Sequence, residues 1–171
     1  MIRQCETEDF PRILTIINQG AEAYREVIPM DCWHDPYMPE AELAAGIANG
    51  IVFYGYESEG QLLGVMGLQP VREVTLIRHA YVLPDLQRQG IGSRLVAHCL
   101  ARADGPVLVG TWAAADWAIR FYRKHDFRLV GEKYRDRLLR QYWSIPDRQR
   151  AVSVVLASPA WFDSTDSITQ E

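Results

Sequence analysis

Residues 78–103 read RHAYVLPDLQRQGIGSRLVAHCLARA, and they decide how the rest of the chain is arranged. The first five form an apolar-rich run of strand length, stopped at Leu83-Pro84 because proline cannot continue a central ladder. Residues 87–92, QRQGIG, make a polar loop closed by two glycines. From there Ile91, Leu95, Val96, Cys99, Leu100 and Ala103 recur at helical spacing. Asp104-Gly105-Pro106 then ends the helix, with glycine just past its last turn and proline after it. A strand therefore feeds a glycine-bearing turn that opens a helix.

Such a turn has two uses. The first turn of a helix carries backbone N–H groups without intrahelical partners, and the dipole adds partial positive charge there. Gly90 and Gly92 leave room for phosphate oxygens, and Arg88 and Arg94 add charge nearby. The same glycines also suit a tight turn that needs them for its dihedrals alone. A dinucleotide fingerprint is excluded, because Leu95 stands where its third glycine belongs. A P-loop is excluded too, since no Gly-Lys-Ser/Thr follows.

Composition narrows the classes. With 171 residues, 48% of them hydrophobic, the chain suits one domain with a substantial core. A net charge of −4 with both signs interspersed offers no footprint for nucleic acid or an anionic membrane surface. Cys5, Cys32 and Cys99 form an odd set without metal-ligand spacing, so no metal is expected. The N-terminal residues lack a signal-peptide core and no apolar run reaches spanning length. A reduced, cytoplasmic protein is the expectation.

Read in order, residues 2–5 predict a strand, and Asp9 predicts the cap of a helix with Pro11 in its first turn. Residues 27–39 are an aromatic-rich loop with three prolines; 40–48 are a short helix ended by Asn49-Gly50. Residues 51–56, 61–68 and 74–82 predict an antiparallel meander. A strand at 107–111 should lie parallel to 74–82, because a helix crosses over between them. Residues 116–125 predict a helix with Trp117, Phe121 and His125 on one side. Strands at 128–132 and 151–157 follow, with a helical turn or two in the 134–150 connection. Residues 1–157 thus make one α/β domain with a mixed sheet and helices on both faces. Residues 158–171 read as a polar, acidic tail.

A second block completes the picture. Residues 118–127, AIRFYRKHDF, follow the first at a fitting distance, and Gln87, Gly90 and Gly92 follow a strand ending Tyr-Val-x-Pro. Together these resemble the GCN5-related N-acetyltransferases, with their Gln-x-x-Gly-x-Gly and A-x-x-F-Y-x-K-x-G-F patterns. The resemblance implies the acyl-CoA N-acyltransferase fold, a mostly antiparallel sheet that splays between its fourth and fifth strands. It implies acetyl-CoA as cosubstrate and a primary amine of a small molecule or amino-acid analogue as acceptor. Arg88, Gln89, Gly90, Ile91, Gly92 and Ser93 would wrap the pyrophosphate, and Tyr81 and Val82 would pair with the pantetheine arm. Tyr122 stands at the family's general-acid position.

Three positions depart from the pattern. Ala115 replaces a customary Asn, Asp126 a customary Gly, and Leu76 stands where some members carry a glutamate base. No base is carried over, and Glu73, His79 and His34 are candidates by residue type only. Trp33, Tyr37, Trp112 and Trp143 suit an acceptor pocket, and also a core. The 134–150 stretch suits either that pocket or a homodimer contact. Acetylation of a protein or peptide amine, or acyl-CoA sensing without turnover, are the alternatives.

Overall fold

Seven strands form one sheet in the computed structural model, which describes residues 1–166. They are β1 (Ile2–Gln4), β2 (Val52–Ser58), β3 (Gln61–Val71), β4 (Val74–Val82), β5 (Val107–Trp112), β6 (Arg128–Leu129) and β7 (Ser153–Ala157). Their order is β1-β2-β3-β4-β5-β7-β6. Every neighbouring pair is antiparallel except β4 with β5. Helix α3 (Ile91–Leu100) crosses over between those two, as a parallel pair requires.

Helices cover both faces because the strands alternate. On β4, Leu76 joins Leu108, Val155, Leu138, Leu139 and Trp161 on one face. Its neighbour Ile77 joins Val109, Leu95, Val96, Cys99 and Ile119 on the other. Helices α1 (Phe10–Ala21) and α2 (Glu40–Ala48) close a third cluster through Ile13, Ile16, Ile17 and Leu43 against Phe53 and Val65. Each such buried aliphatic side chain contributes about 1.5–3 kcal/mol. The remaining helices are α4 (Asp116–Arg123), α5 (Glu132–Tyr142), α6 (Asp147–Ala151) and α7 (Pro159–Asp166).

Several sequence expectations need correction. Asp9 does not cap α1 with its side chain; its carboxylate accepts from the Glu6 N–H at 2.8 Å and pairs with Arg3 at 2.7 Å. The buried residues of α4 are Ala118, Ile119 and Tyr122, while Trp117 is exposed. The strand read at 128–132 stops at Leu129, and α5 is a full three-turn helix. The tail read at 158–171 is α7 as far as Asp166, with Trp161 buried and Ser158 Oγ accepting from the Val107 N–H at 2.9 Å. Residues 167–171 lie outside the described residues.

Candidate functional site

The sheet opens where β4 and β5 part. They pair only at Thr75↔Val107, Leu76↔Leu108 and Ile77↔Val109, although β4 runs on to Val82 and β5 to Trp112. On its other side β4 carries a bulge: Gly67 faces Arg78 but Val65 faces Tyr81. His79 absorbs it with φ 52°, a conformation that histidine adopts more readily than most residues. A bulge leaves its extra residue off the ladder and re-aims the side chains around it. Residues 78–82 thus keep a free backbone edge toward β5.

A cavity of about 330 Å³ fills the gap. Its walls are residues 77–81 of β4, residues 109–112 of β5, Tyr24 and Tyr37 from the segment after α1, and Trp143 to Pro146 after α5. Two glycines make this wall. A Cβ on Gly20 would sit 2.9 Å from the Cβ of Tyr81, so only glycine lets α1 approach β4 this closely. A Cβ on Gly110 would lie 3.3 Å from the Trp143 ring. Burial raises the Tyr81 phenol well above its usual value and pushes that of Tyr24 up to about 12.

The first turn of α3 sits at the end of β4. Ile91 and Val82 both flank the Cβ position of Gly64, at 3.1 and 3.2 Å. Gly90 precedes α3 with φ 84°, and Arg88 takes φ 63°. A Cβ on Gly90 would meet nothing within 4 Å, so its side faces open space. Gly92 differs: its Cβ would touch Phe121 at 3.3 Å, so its small size serves the packing of α3 on α4. Gln87 and Gln89 donate back to the carbonyls of Val82 and Asp85 at 3.3 and 3.5 Å, which braces the loop. Arg94 is turned to the Tyr56 hydroxyl at 3.2 Å. Ser93 Oγ lies 3.1 Å from Nε2 of His125. Tyr81, Val82 and Ile91 thus meet around Gly64, with Gly92 and Ser93 following in the first turn of α3, and Tyr81 also lines the cavity.

Tyr122 reaches the same cavity from α4. Its ring packs against Phe121 and Phe127 with centroids 5.1 and 5.6 Å away. Its hydroxyl makes no hydrogen bond among the described residues, and burial raises its pKa well above the ordinary phenol value. It stays protonated throughout the neutral range. Asp126 closes α4 at φ 66°, the left-handed turn that glycine adopts more easily. Ala115 is the buried residue before α4 and offers no side-chain cap.

The three base candidates fare differently. Glu73 stands at the far end of β4 and accepts a hydrogen bond from Tyr142, which holds its carboxyl below the usual range. That contact takes it away from the opening. His79 lines the cavity, but burial pulls its imidazole down to about 3, so it is neutral and weakly basic. His34 lines the rim and is exposed. Leu76, fully buried, closes the strand position where a glutamate would stand. Trp143, Tyr37 and Trp112 line the cavity, whereas Trp33 packs behind it against Tyr37.

Two lining residues escaped the sequence reading. Tyr24 and Arg78 carry no local pattern that marks them as part of a site. Only the neighbours across the gap reveal them. The signal that existed for Arg78 was its place next to His79, a polar pair inside a run destined for a central strand.

Residues 49–129, which span β2 to β6, match the family described as the acetyltransferase (GNAT) domain. The match covers just under half of the chain, and over that stretch the chain is similar to the GNAT acetyltransferases. No curated protein matches the sequence. Solved structures share the fold. A ribosomal-protein-S18-alanine N-acetyltransferase from Escherichia coli is 19% identical with a TM-score of 0.68, over 94% of this chain and 93% of that one. The PaiA N-acetyltransferase from Thermoplasma acidophilum, in complex with coenzyme A, is 14% identical with a TM-score of 0.67, over 92% and 97%. N-acetylglutamate synthase from Neisseria gonorrhoeae, with coenzyme A and N-acetyl-glutamate, is 20% identical with a TM-score of 0.62. There the likeness covers 92% of this chain and 34% of that one.

Proposed function

We propose that the protein moves the acetyl group of acetyl-CoA onto the amine of a small molecule held in the cavity between β4 and β5. The observation that carries this reading is the loss of β4–β5 pairing after Ile77, beside the α3 first turn and under Tyr122. The free edge of Tyr81 and Val82 suits an extended amide-bearing arm, paired like an added strand. The α3 first turn, with Arg88, Gln89, Gly90, Ile91, Gly92 and Ser93, suits a pyrophosphate through backbone N–H groups. At the reacting carbon the amine lone pair forms the new C–N bond as the C–S bond breaks. The amine gives up one proton and the departing thiolate needs one. Tyr122 donates a hydrogen bond to that sulfur, and its raised pKa makes it a stabiliser of the thiolate before it is a full proton source.

Of the basic groups on the cavity wall, Glu42 and His34 sit at exposed positions and His79 is weakly basic, so the acceptor is expected to arrive as the neutral amine. The expected pH profile of kcat/KM rises as the acceptor's own amine deprotonates. Exchanging it for an acceptor of lower amine pKa should move the profile by the same amount. CoA release measured with an amine panel tests this together with the transferase reading. A profile fixed across acceptors would mean an enzyme base, and no release with any amine would favour acyl-CoA sensing. A small acceptor is favoured over a protein terminus because the cavity of about 330 Å³ is walled by Trp143 to Pro146 as well as by Tyr37. The three cysteines are all free thiols, which suits the cytoplasm.

Trp143 is assigned to the acceptor end of this cavity. Trp143→Ala is expected to raise the acceptor KM about 10-fold or more, the effect of losing one aromatic anchor, without moving the acetyl-CoA Kd. A changed sedimentation state with unchanged acceptor kinetics would make the loop a dimer contact instead.

A further inference from the structure

Arg78 is the one cation among the cavity-lining residues. It stands directly before the β4 bulge, opposite Gly67, half-buried. Of its five N–H donors, the structure engages Nη1, which reaches Gln69 Oε1 at 2.9 Å. It forms no ion pair among the described residues, unlike Arg3, Arg25, Arg135, Arg148 and Arg150. Glu42 also lines the cavity and lies near enough to favour the charged guanidinium, but it is exposed and makes no bond to it. The other titratable neighbours supply no anion. His79 is neutral, and the phenols of Tyr24, Tyr81 and Tyr122 are held protonated by burial. Tyr37 and Cys32 complete the surrounding wall.

A guanidinium withdrawn from water without a counter-ion carries a desolvation cost that a ligand anion relieves. The planar fork fits a carboxylate through two parallel N–H···O bonds, and low local dielectric strengthens them. Gln69 fixes one edge of the fork, which leaves the other for the ligand. The cavity volume of about 330 Å³ suits an amino-acid-sized molecule.

The geometry points to Arg78 as the anchor of a carboxylate on the acceptor, so that the acceptor is an amine that also carries a carboxylate. This rests on the transferase reading and narrows it to amino acids and short acidic amines. The carboxylate holds the molecule at the base of the cavity while its amine faces Tyr122 and the opening. An amine without that anion leaves the half-buried guanidinium without a bonded counter-ion, so the cavity discriminates by the loss of a charged hydrogen-bond pair.

Binding and turnover test it separately. N-acetylated amino acids and their C-terminal amides are titrated calorimetrically into the CoA-saturated protein, alongside N-acetylated dipeptides. At least one acid should bind about 10- to 100-fold more tightly than its amide, the effect of a charge-assisted hydrogen bond. Arg78→Gln should collapse that ratio to near one, and Arg78→Lys should restore part of it. Unchanged CoA affinity in both variants serves as the folding control. Amides binding as well as acids, an acid preference that survives in Arg78→Gln, or no acid bound at all, each overturns the assignment. Tight dipeptide binding with no single amino acid bound would move the carboxylate to a peptide acceptor and overturn the small-molecule form. Acid binding without acetyl transfer to any free amine would defeat the transferase reading and leave the Arg78 assignment intact.

Discussion

Tyr122→Phe is expected to lower kcat by about 10²–10⁴-fold while acetyl-CoA affinity changes little. The substitution keeps a ring of nearly the same volume between Phe121 and Phe127, so the α4 packing survives. It removes only a hydroxyl that has no partner among the described residues, so no protein hydrogen bond is broken. That makes the experiment clean, because a purely structural tyrosine would lose little in the exchange. Single-turnover measurement with a confirmed acceptor checks it: a kcat within twofold of the parent protein would return Tyr122 to a packing role. The raised pKa adds a second expectation. Activity should show no Tyr122-linked fall as pH rises toward 10, since a phenol pushed up by burial keeps its proton there.

Gly90→Asp is expected to abolish acetyl-CoA binding, a loss of at least about 10²-fold in Kd. Gly90 takes φ 84° directly before α3, with open space where a side chain would project. Aspartate there sets a negative charge beside the first-turn N–H groups, where a pyrophosphate would bind. Backbone strain is the competing cause, and Gly90→Asn separates the two. Asparagine tolerates the left-handed region and has the same shape without charge, so it should retain much of the affinity. Calorimetry with CoA on both variants, after a melting curve has shown each to be folded, decides it. Equal loss in both would assign Gly90 to dihedral need alone, and unchanged affinity in Gly90→Asp would remove the loop from the cofactor site.

The parts of the fold written in punctuation were readable from the sequence. Helix α2 runs from Glu40 to Ala48 as expected, because Pro39 and Asn49-Gly50 bound it. Strand β4 runs from Val74 to Val82 as expected, because a turn precedes it and Pro84 follows. The parallel β4–β5 pair follows from the crossover helix alone. What failed depended on packing partners. Helix α5 hid behind Lys133, Arg135, Asp136, Arg137 and Arg140, whose charges outnumber the buried Leu138, Leu139 and Tyr142. On α4, Trp117 looked like core, but the small Ala118 lets the helix lie close, so the buried face falls one residue over. Trp161 lies in a stretch too polar to suggest burial, and it is covered only because α7 folds back onto the α5 side of the sheet.

At the site itself the limits were similar. The glycine turn and Tyr122 carry a local pattern, so the sequence alone could name them as candidates. The bulge at His79 carries none, because a left-handed histidine is spelled like any other. The half-buried state of Arg78 depends on Gln69 and on a gap between strands that no local stretch encodes. Glu73 was a reasonable base by type, and only its distance along β4, with Tyr142 holding it there, removes it.

The Gly20 backbone and the Tyr81 side chain lie too near for even a methyl group between them. That contact gives the wall behind Tyr81 no slack: a bulkier residue at position 20 would have to push α1 off β4, and Tyr81, which lines the cavity, would shift with it. The other side is built differently, since His34, Ser144 and Pro146 line the cavity from exposed loop positions.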